Sequence, residues 1–271
     1  MILIAFASNP VNQNNSLYLS FIDEIVALAK KNNAYTLLVW RYANPNADQP
    51  SMPDQAAEDA IAKLAERYKD EPAVLYGLQV EPHDVSWSTL KPRFISMIDA
   101  IRSKNPKALI AVPGTQWSRY IYWAVDDPIS RSNLIFKTHP YDSWASIQAE
   151  YRLDEVSAKY PVILGEFGDG AFMNLTDVKN LLNYAESKGM SWAAWLMHHV
   201  GCPCLLTNDD TFATTSYGAE IKSRLQAAWG PPSPPPAPPS PPPTPPSPPP
   251  APPPTPPSPP STSKDPMFLR A

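Results

Sequence analysis

Two glutamates stand where strands should end. Glu81 closes a run in which Val74, Leu75, Leu78 and Val80 make an apolar stretch of strand length, and the rigid Pro82 holds the chain as it leaves. Glu166 follows Pro161, Val162, Ile163 and Leu164 in the same way, within Gly165-Glu166-Phe167-Gly168. Taken alone, either reads equally well as a surface charge at a strand end. If both strands belong to one parallel barrel, both side chains open on its C-terminal face, where such barrels keep their active sites. A pair of carboxylates there suits glycosidic bond hydrolysis, one protonating the leaving oxygen and the other attacking the anomeric carbon.

The elements that must position them alternate along the chain. Apolar runs predict strands over 2–6, 35–40, 74–80, 108–112, 134–138, 162–164 and 191–196. Helical spacing predicts helices over 17–31, 54–68, 87–104, 153–159, 176–188 and 218–228. Strands alternating with helices imply an α/β fold with a parallel sheet and right-handed crossovers. Seven strands are one short of a (β/α)8 TIM barrel, so the expected fold is that barrel lacking about its first strand-helix unit. A doubly wound open sheet is the alternative, but no Gly-rich phosphate turn follows the first strand.

Composition divides the chain. Residues 231–260 are nearly all Pro with Ser, Thr and Ala between, a disordered stretch that cannot bury a core and should extend as a polyproline II stalk of roughly 3.1 Å per residue. The barrel is therefore expected over 1–230, with a short tail at 261–271. A net charge of −4 with acids and bases scattered offers no basic stripe for nucleic acid and no polybasic cluster for a membrane surface. No apolar run reaches the length of a membrane span. Residues 2–6 are too short and lack the basic flank of a secretion signal, and read as a core strand.

Cys202 and Cys204 are separated only by Pro203, and a bond between them would need a strained tight ring, so they are expected to be free or paired externally and not with each other. His198 and His199 lie nearby, but the spacing announces no metal geometry. Neither a metal nor a cofactor is called for.

Four segments come in a telling order: Val80-Glu81-Pro82-His83, His139-Pro140-Tyr141, Gly165-Glu166-Phe167-Gly168 and Trp195. Over residues 1–228 they resemble the family 5 glycoside hydrolases, the cellulase-like barrels of the retaining glycosidases. The resemblance implies that Glu81 is the acid/base and Glu166 the nucleophile, that His139 and Tyr141 lie beside that nucleophile, that Trp195 is a platform under the bound sugar, and that no metal takes part. The chain departs from the family pattern at Val80, where Asn usually precedes the acid/base, and at Trp40, in place of a histidine. The arginine usual on the second strand is absent as well.

Physical chemistry adds to those roles. An ionised Glu166 should push a neighbouring Glu81 to hold its proton, and a Tyr141 hydroxyl could orient Glu166. His139 before Pro could equally be a packing or capping histidine. Trp117 and Trp40 are candidates for stacking on sugar rings, and His83 is a further binding candidate beside Glu81. The expected activity is endo-type hydrolysis of a plant-type β-glycan, a β-1,4-glucan or mannan, by a monomer. The rival reading is a degenerate barrel that binds wall glycan without cleaving it, or that serves as the head of a structural cell-wall glycoprotein. The Pro-rich stretch resembles hydroxyproline-rich wall proteins of plants and green algae, which implies an extracellular or cell-wall location.

Overall fold

Seven apolar runs become seven strands, all parallel: β1 (Ile2–Ala7), β2 (Thr36–Tyr42), β3 (Val74–Gly77), β4 (Ile110–Pro113), β5 (Leu134–Thr138), β6 (Val162–Leu164) and β7 (Ser191–Trp192). The computed structural model describes residues 1–229 apart from 45, 47 and 171; the Pro-rich stretch 231–260 and the tail 261–271 lie outside the described residues. The strand order in the sheet is the chain order, each strand pairing with its neighbour in sequence, as in Ile4 with Leu38, Leu38 with Tyr76 and Tyr76 with Ile110. Among the described residues β1 and β7 stand at the two ends of this row. The architecture is that of a (β/α)8 barrel with seven of its strands.

Helices fill the crossovers. α1 (Ser8–Asn12) and α2 (Ser16–Lys31) follow β1, α3 (Gln55–Arg67) follows β2, and α4 (Trp87–Lys104) follows β3. Two short turns, α5 (Thr115–Ser118) and α6 (Trp123–Asp126), lead to β5, and α7 (Trp144–Glu150) and α8 (Leu153–Ser157) lead to β6. α9 (Leu175–Ser187) precedes β7. A hairpin of β8 (Leu206–Asn208) and β9 (Ala213–Thr214) comes before α10 (Ser216–Trp229). Side chains start these helices where the sequence supplies an acceptor: Asn15 accepts from the Tyr18 amide at 3.0 Å, Asp54 from Ala57 at 2.8 Å, and Asn174 with Asp177 forms a capping box.

The two-residue period of the strands builds two apolar layers. Leu38, Tyr76, Ile110, Phe136 and Leu164 point outward and meet Ile61, Leu64, Phe94, Ile98 and Leu181 from the helices. Leu37, Val39, Leu75, Ala111, Ile135 and Ile163 point inward and fill the barrel. Each such side chain contributes about 1.5–3 kcal/mol on full burial, so these layers fix the strand phase that aims everything at the rim.

Several expectations change in detail. β3 ends at Gly77, yet Leu78 N–H donates to Ala111 at 3.1 Å and Val80 N–H to Trp40 at 2.8 Å, so the chain stays attached to the sheet up to Glu81. α7 has seven residues, too few for a clear helical period, and the β8–β9 hairpin is likewise too short to announce itself. The expectation for the cysteines is overturned: Cys202 and Cys204 form a disulfide. The chain turns at Pro203 tightly enough to leave their Cα atoms 4.2 Å apart, within bonding reach. No helix of the described residues is long and apolar enough to cross a membrane.

Candidate active site

The strand phase decides what reaches the rim. Along β5, Ile135 is in the inner layer, so Lys137 and then His139 follow it on the same face. His139 lies buried between the ends of β3 and β6. Its Nδ1 is 2.8 Å from Glu81 Oε1 and 3.6 Å from Glu166 Oε2. The Tyr141 hydroxyl donates to Glu166 Oε2 at 3.3 Å. Oxygens of both glutamates and a nitrogen of His139 lie within 4.8 Å of one another.

Below this group, Lys137 Nζ is 2.7 Å from His139 Nε2 and 2.8 Å from the Val80 carbonyl. An ammonium has only donors, so Nε2 must accept, and the ring proton sits on Nδ1, from which it donates to Glu81. Burial pushes the Glu81 carboxyl up, but the hydrogen bond and pull of His139, then Lys137 and Arg41, together outweigh it and leave it below its ordinary value. The expected rise at Glu81 is thus reversed, because it faces a donor and two cations as well as Glu166. Burial lowers Lys137 to about 8 against the opposing pull of Glu166 and Glu81. Burial, with the charges of Glu166 and Glu81, holds the Tyr141 hydroxyl well above its usual range, so it remains a donor.

A cavity of about 250 Å³ opens over these groups, lined by Glu81, His139 and Tyr141 with Trp117, Arg119, Asp142 and Phe172. Trp117 is 48 % exposed and Phe172 75 %, so two aromatic faces border it. Trp117 gets there through a strained turn: Gln116, Trp117 and Ser118 all take left-handed φ, at 52°, 61° and 60°. Each costs about 1–2 kcal/mol for a side-chain-bearing residue. Hydrogen bonds hold the turn: Trp117 N–H donates to Pro82 at 2.9 Å, Ser118 Oγ to Val80 at 2.8 Å, and His139 N–H to Ser118 at 2.9 Å. Trp117 then stacks on His83 with ring centres 3.9 Å apart. In the cavity wall Arg119 pairs with Asp142, which also accepts from the Tyr151 hydroxyl at 2.6 Å.

Of the residues singled out by sequence, Glu81, Glu166, His139, Tyr141 and Trp117 come together, with His83 behind Trp117. Trp40 does not join them. It is 1 % exposed and faces the helix layer, because it is one residue out of phase with the inward Val39. Trp195 is half-buried, with its indole N–H on the Gly201 carbonyl at 3.2 Å, and does not line the cavity. Val80 points into the barrel interior and offers the cavity no donor. Sequence reading missed Lys137, Arg119, Asp142 and Phe172. Stepping back from His139 by two would have found Lys137, and from Val39 forward by two, Arg41.

Two groups of side chains crowd possible metal ligands among the described residues: Glu81 with His139 and Glu166, and His198 with His199 and Asp209. In the first, the His139 nitrogen facing the carboxylates carries the proton and has no lone pair to give. In the second, Val200 N–H donates to His198 Nδ1 at 3.0 Å, which leaves Nε2 protonated and donating to Asp209 at 3.0 Å. His199 Nδ1 reaches the same carboxylate at 2.8 Å. The first is one imidazole between two carboxylates and the second one carboxylate held by two imidazoles, hydrogen-bonded arrangements that the side chains complete among themselves better than around a metal.

The chain is similar to known proteins in sequence and in fold. The chain is 26 % identical over 200 residues to endoglucanase N of Pectobacterium atrosepticum, covering 70 % of this chain and 43 % of that protein. It is 26 % identical over 215 residues to endoglucanase Z of Dickeya dadantii, covering 76 % and 49 %. The chain thus spans less than half the length of these curated relatives. The fold matches that of the β-glucanase SdGluc5_26A from Saccharophagus degradans with a TM-score of 0.70 at 22 % identity, over 83 % of this chain and 78 % of that one. Residues 3–201 match the cellulase family as a whole, and the chain therefore belongs to the cellulases of glycosyl hydrolase family 5.

Proposed function

We propose that this domain is a retaining endo-type glycosidase that cleaves a β-1,4-glucan, with mannan as the second candidate substrate. The observation that carries the reading is the approach of Glu81 and Glu166, whose nearest oxygens lie within 4.8 Å. Retaining enzymes hold their carboxyl groups about 5–5.5 Å apart, while inverting ones leave about 6.5–9.5 Å for a water. Glu166 attacks the anomeric carbon and Tyr141 steadies its charge. Glu81 protonates the leaving oxygen and then activates water against the glycosyl-enzyme. Glu81 must gain its proton against the pull of His139 and Lys137, which makes it a strong acid once protonated and favours acidic working conditions.

The matched relatives are named endoglucanases, and a solved neighbour, the S. degradans β-glucanase, has been captured with cellotetraose, which supports an oligomeric glucan in the cleft. Trp117 and Phe172 offer the apolar faces that sugar rings stack on. The disulfide favours an oxidising, extracellular setting. Val80 favours the second reading, a barrel that binds glycan without cleaving it, because no side-chain amide stands before Glu81 to bind the sugar 2-hydroxyl.

Reducing-end release from β-glucan, mannan and xylan tests both. The expected result is release from glucan by the natural protein and none by Glu166→Gln with its fold retained. Equal turnover by the two proteins refutes the nucleophile. Saturable glycan binding with no release from any polysaccharide establishes the binding reading.

A further inference from the structure

We infer that Lys137 is a positioning residue of this site: from inside the barrel it fixes the tautomer of His139 and thereby presents the ring's Nδ1–H to Glu81. This rests on the reading of Glu81 as the acid/base only for its effect on rate, not for its effect on the ring.

The position is a costly one for a lysine. Lys137 is 0 % exposed, on the same face of β5 as Ile135 of the inner apolar layer and paired in register with Ile163 of that layer. A buried ammonium without partners is strongly unfavourable, and lysines are almost never fully buried. A structural role in satisfying the Val80 carbonyl is already filled, since Ser118 Oγ donates to that oxygen at 2.8 Å. The remaining partner of Lys137 is His139 Nε2, at 2.7 Å.

The barrel also keeps room for this contact. A Cβ on Gly165 would lie 2.6 Å from Lys137 Cγ and 2.9 Å from His139 Nε2, so the strand that carries Glu166 has no side chain where the lysine stem passes. The charges that face Lys137 are Glu81 from the end of β3 and Glu166 from the end of β6, with His139 on its own strand. Arg41, at the end of β2, adds its pull on Glu81. The chain Lys137 to His139 to Glu81 runs from an ammonium donor through one imidazole to a carboxylate acceptor, so removing the ammonium lets Nε2 compete for a proton, with Glu81 alone left to hold one on Nδ1.

Nitrogen-15 NMR of histidine-labelled protein reads this directly, with only four histidines to assign. In the natural protein His139 is expected to show a protonated Nδ1 and a bare Nε2; a protonated Nε2 would overturn the proposal without any variant. In Lys137→Met the exclusive Nδ1–H pattern should give way to one in which Nε2 carries a proton in part of the population. The alkaline limb of kcat/KM on β-glucan should also rise by roughly one pH unit, because Glu81 loses a neighbouring cation and holds its proton longer. An unchanged tautomer in the variant overturns the proposal. A changed tautomer with an unmoved limb supports Lys137's hold on the ring and refutes Glu81 as the acid. Should Lys137→Met not fold, the tautomer of the natural protein alone decides.

Discussion

Replacing Glu81 separates its two proposed duties. In Glu81→Gln the amide oxygen can still accept the His139 N–H that now lies 2.8 Å from Glu81 Oε1, so the hydrogen-bond network survives and only the transferable proton is lost. Stability should change by no more than about 1 kcal/mol, the scale of one exchanged hydrogen bond. General acid catalysis contributes typically 10²–10⁴-fold, or about 3–5 kcal/mol of barrel-bound transition-state stabilisation. That loss should fall on natural β-glucan, whose leaving alcohol needs a proton, and largely spare a dinitrophenyl glycoside, whose leaving group departs unaided. Glu81→Ala opens the space beside the anomeric carbon, so azide should accelerate turnover of the activated substrate and yield a glycosyl azide of retained configuration. The assay is the ratio of rates on the two substrates, with thermal unfolding as the control. Equal losses on both, or a glucan rate unchanged in Glu81→Gln, would refute the acid role and the geometry used to assign it.

Trp117→Ala removes an exposed platform beside Glu81 and should raise KM on cello-oligosaccharides severalfold, from about 0.5–1.5 kcal/mol of aromatic contact, with kcat little changed; an unchanged KM would exclude Trp117 from sugar binding. Lys137 predicts an unusual pH dependence of stability. Its folded pKa of about 8 lies below the value of about 10.4 in the unfolded chain, so between those limits the unfolded state binds more protons and stability rises with pH. Relative to Lys137→Met, the unfolding free energy should climb by up to about 1.4 kcal/mol per pH unit across that window, and denaturant titrations showing a parallel or falling trend would contradict the burial of a titrating ammonium.

Much of this arrangement was legible from residue order. Apolar runs located every strand of the main sheet because a parallel sheet buries both faces and leaves a dense signature, and Glu81 and Glu166 stood out because a charge ends such a run. What stayed hidden depends on phase and on turns. Trp40 looked like a sugar platform until the pairing of β2 showed Val39 facing in, which turns Trp40 outward. Lys137 lies unremarked within the strand expected over 134–138. Its burial becomes visible only when the inner layer closes around it. The Cys202–Cys204 bond depends on a local turn that no periodicity encodes.

The row of strands in chain order has a last consequence for how this site comes into being. Its two glutamates are borne by β3 and β6, and the histidine between them by β5, so three successive crossovers must be laid down before the groups can meet. On the proposed roles, neither the leading nor the trailing part of the chain carries both glutamates. Two fragments divided in the loop between β4 and β5 would each be silent, and the return of turnover on mixing them would count, molecule by molecule, how many had found each other.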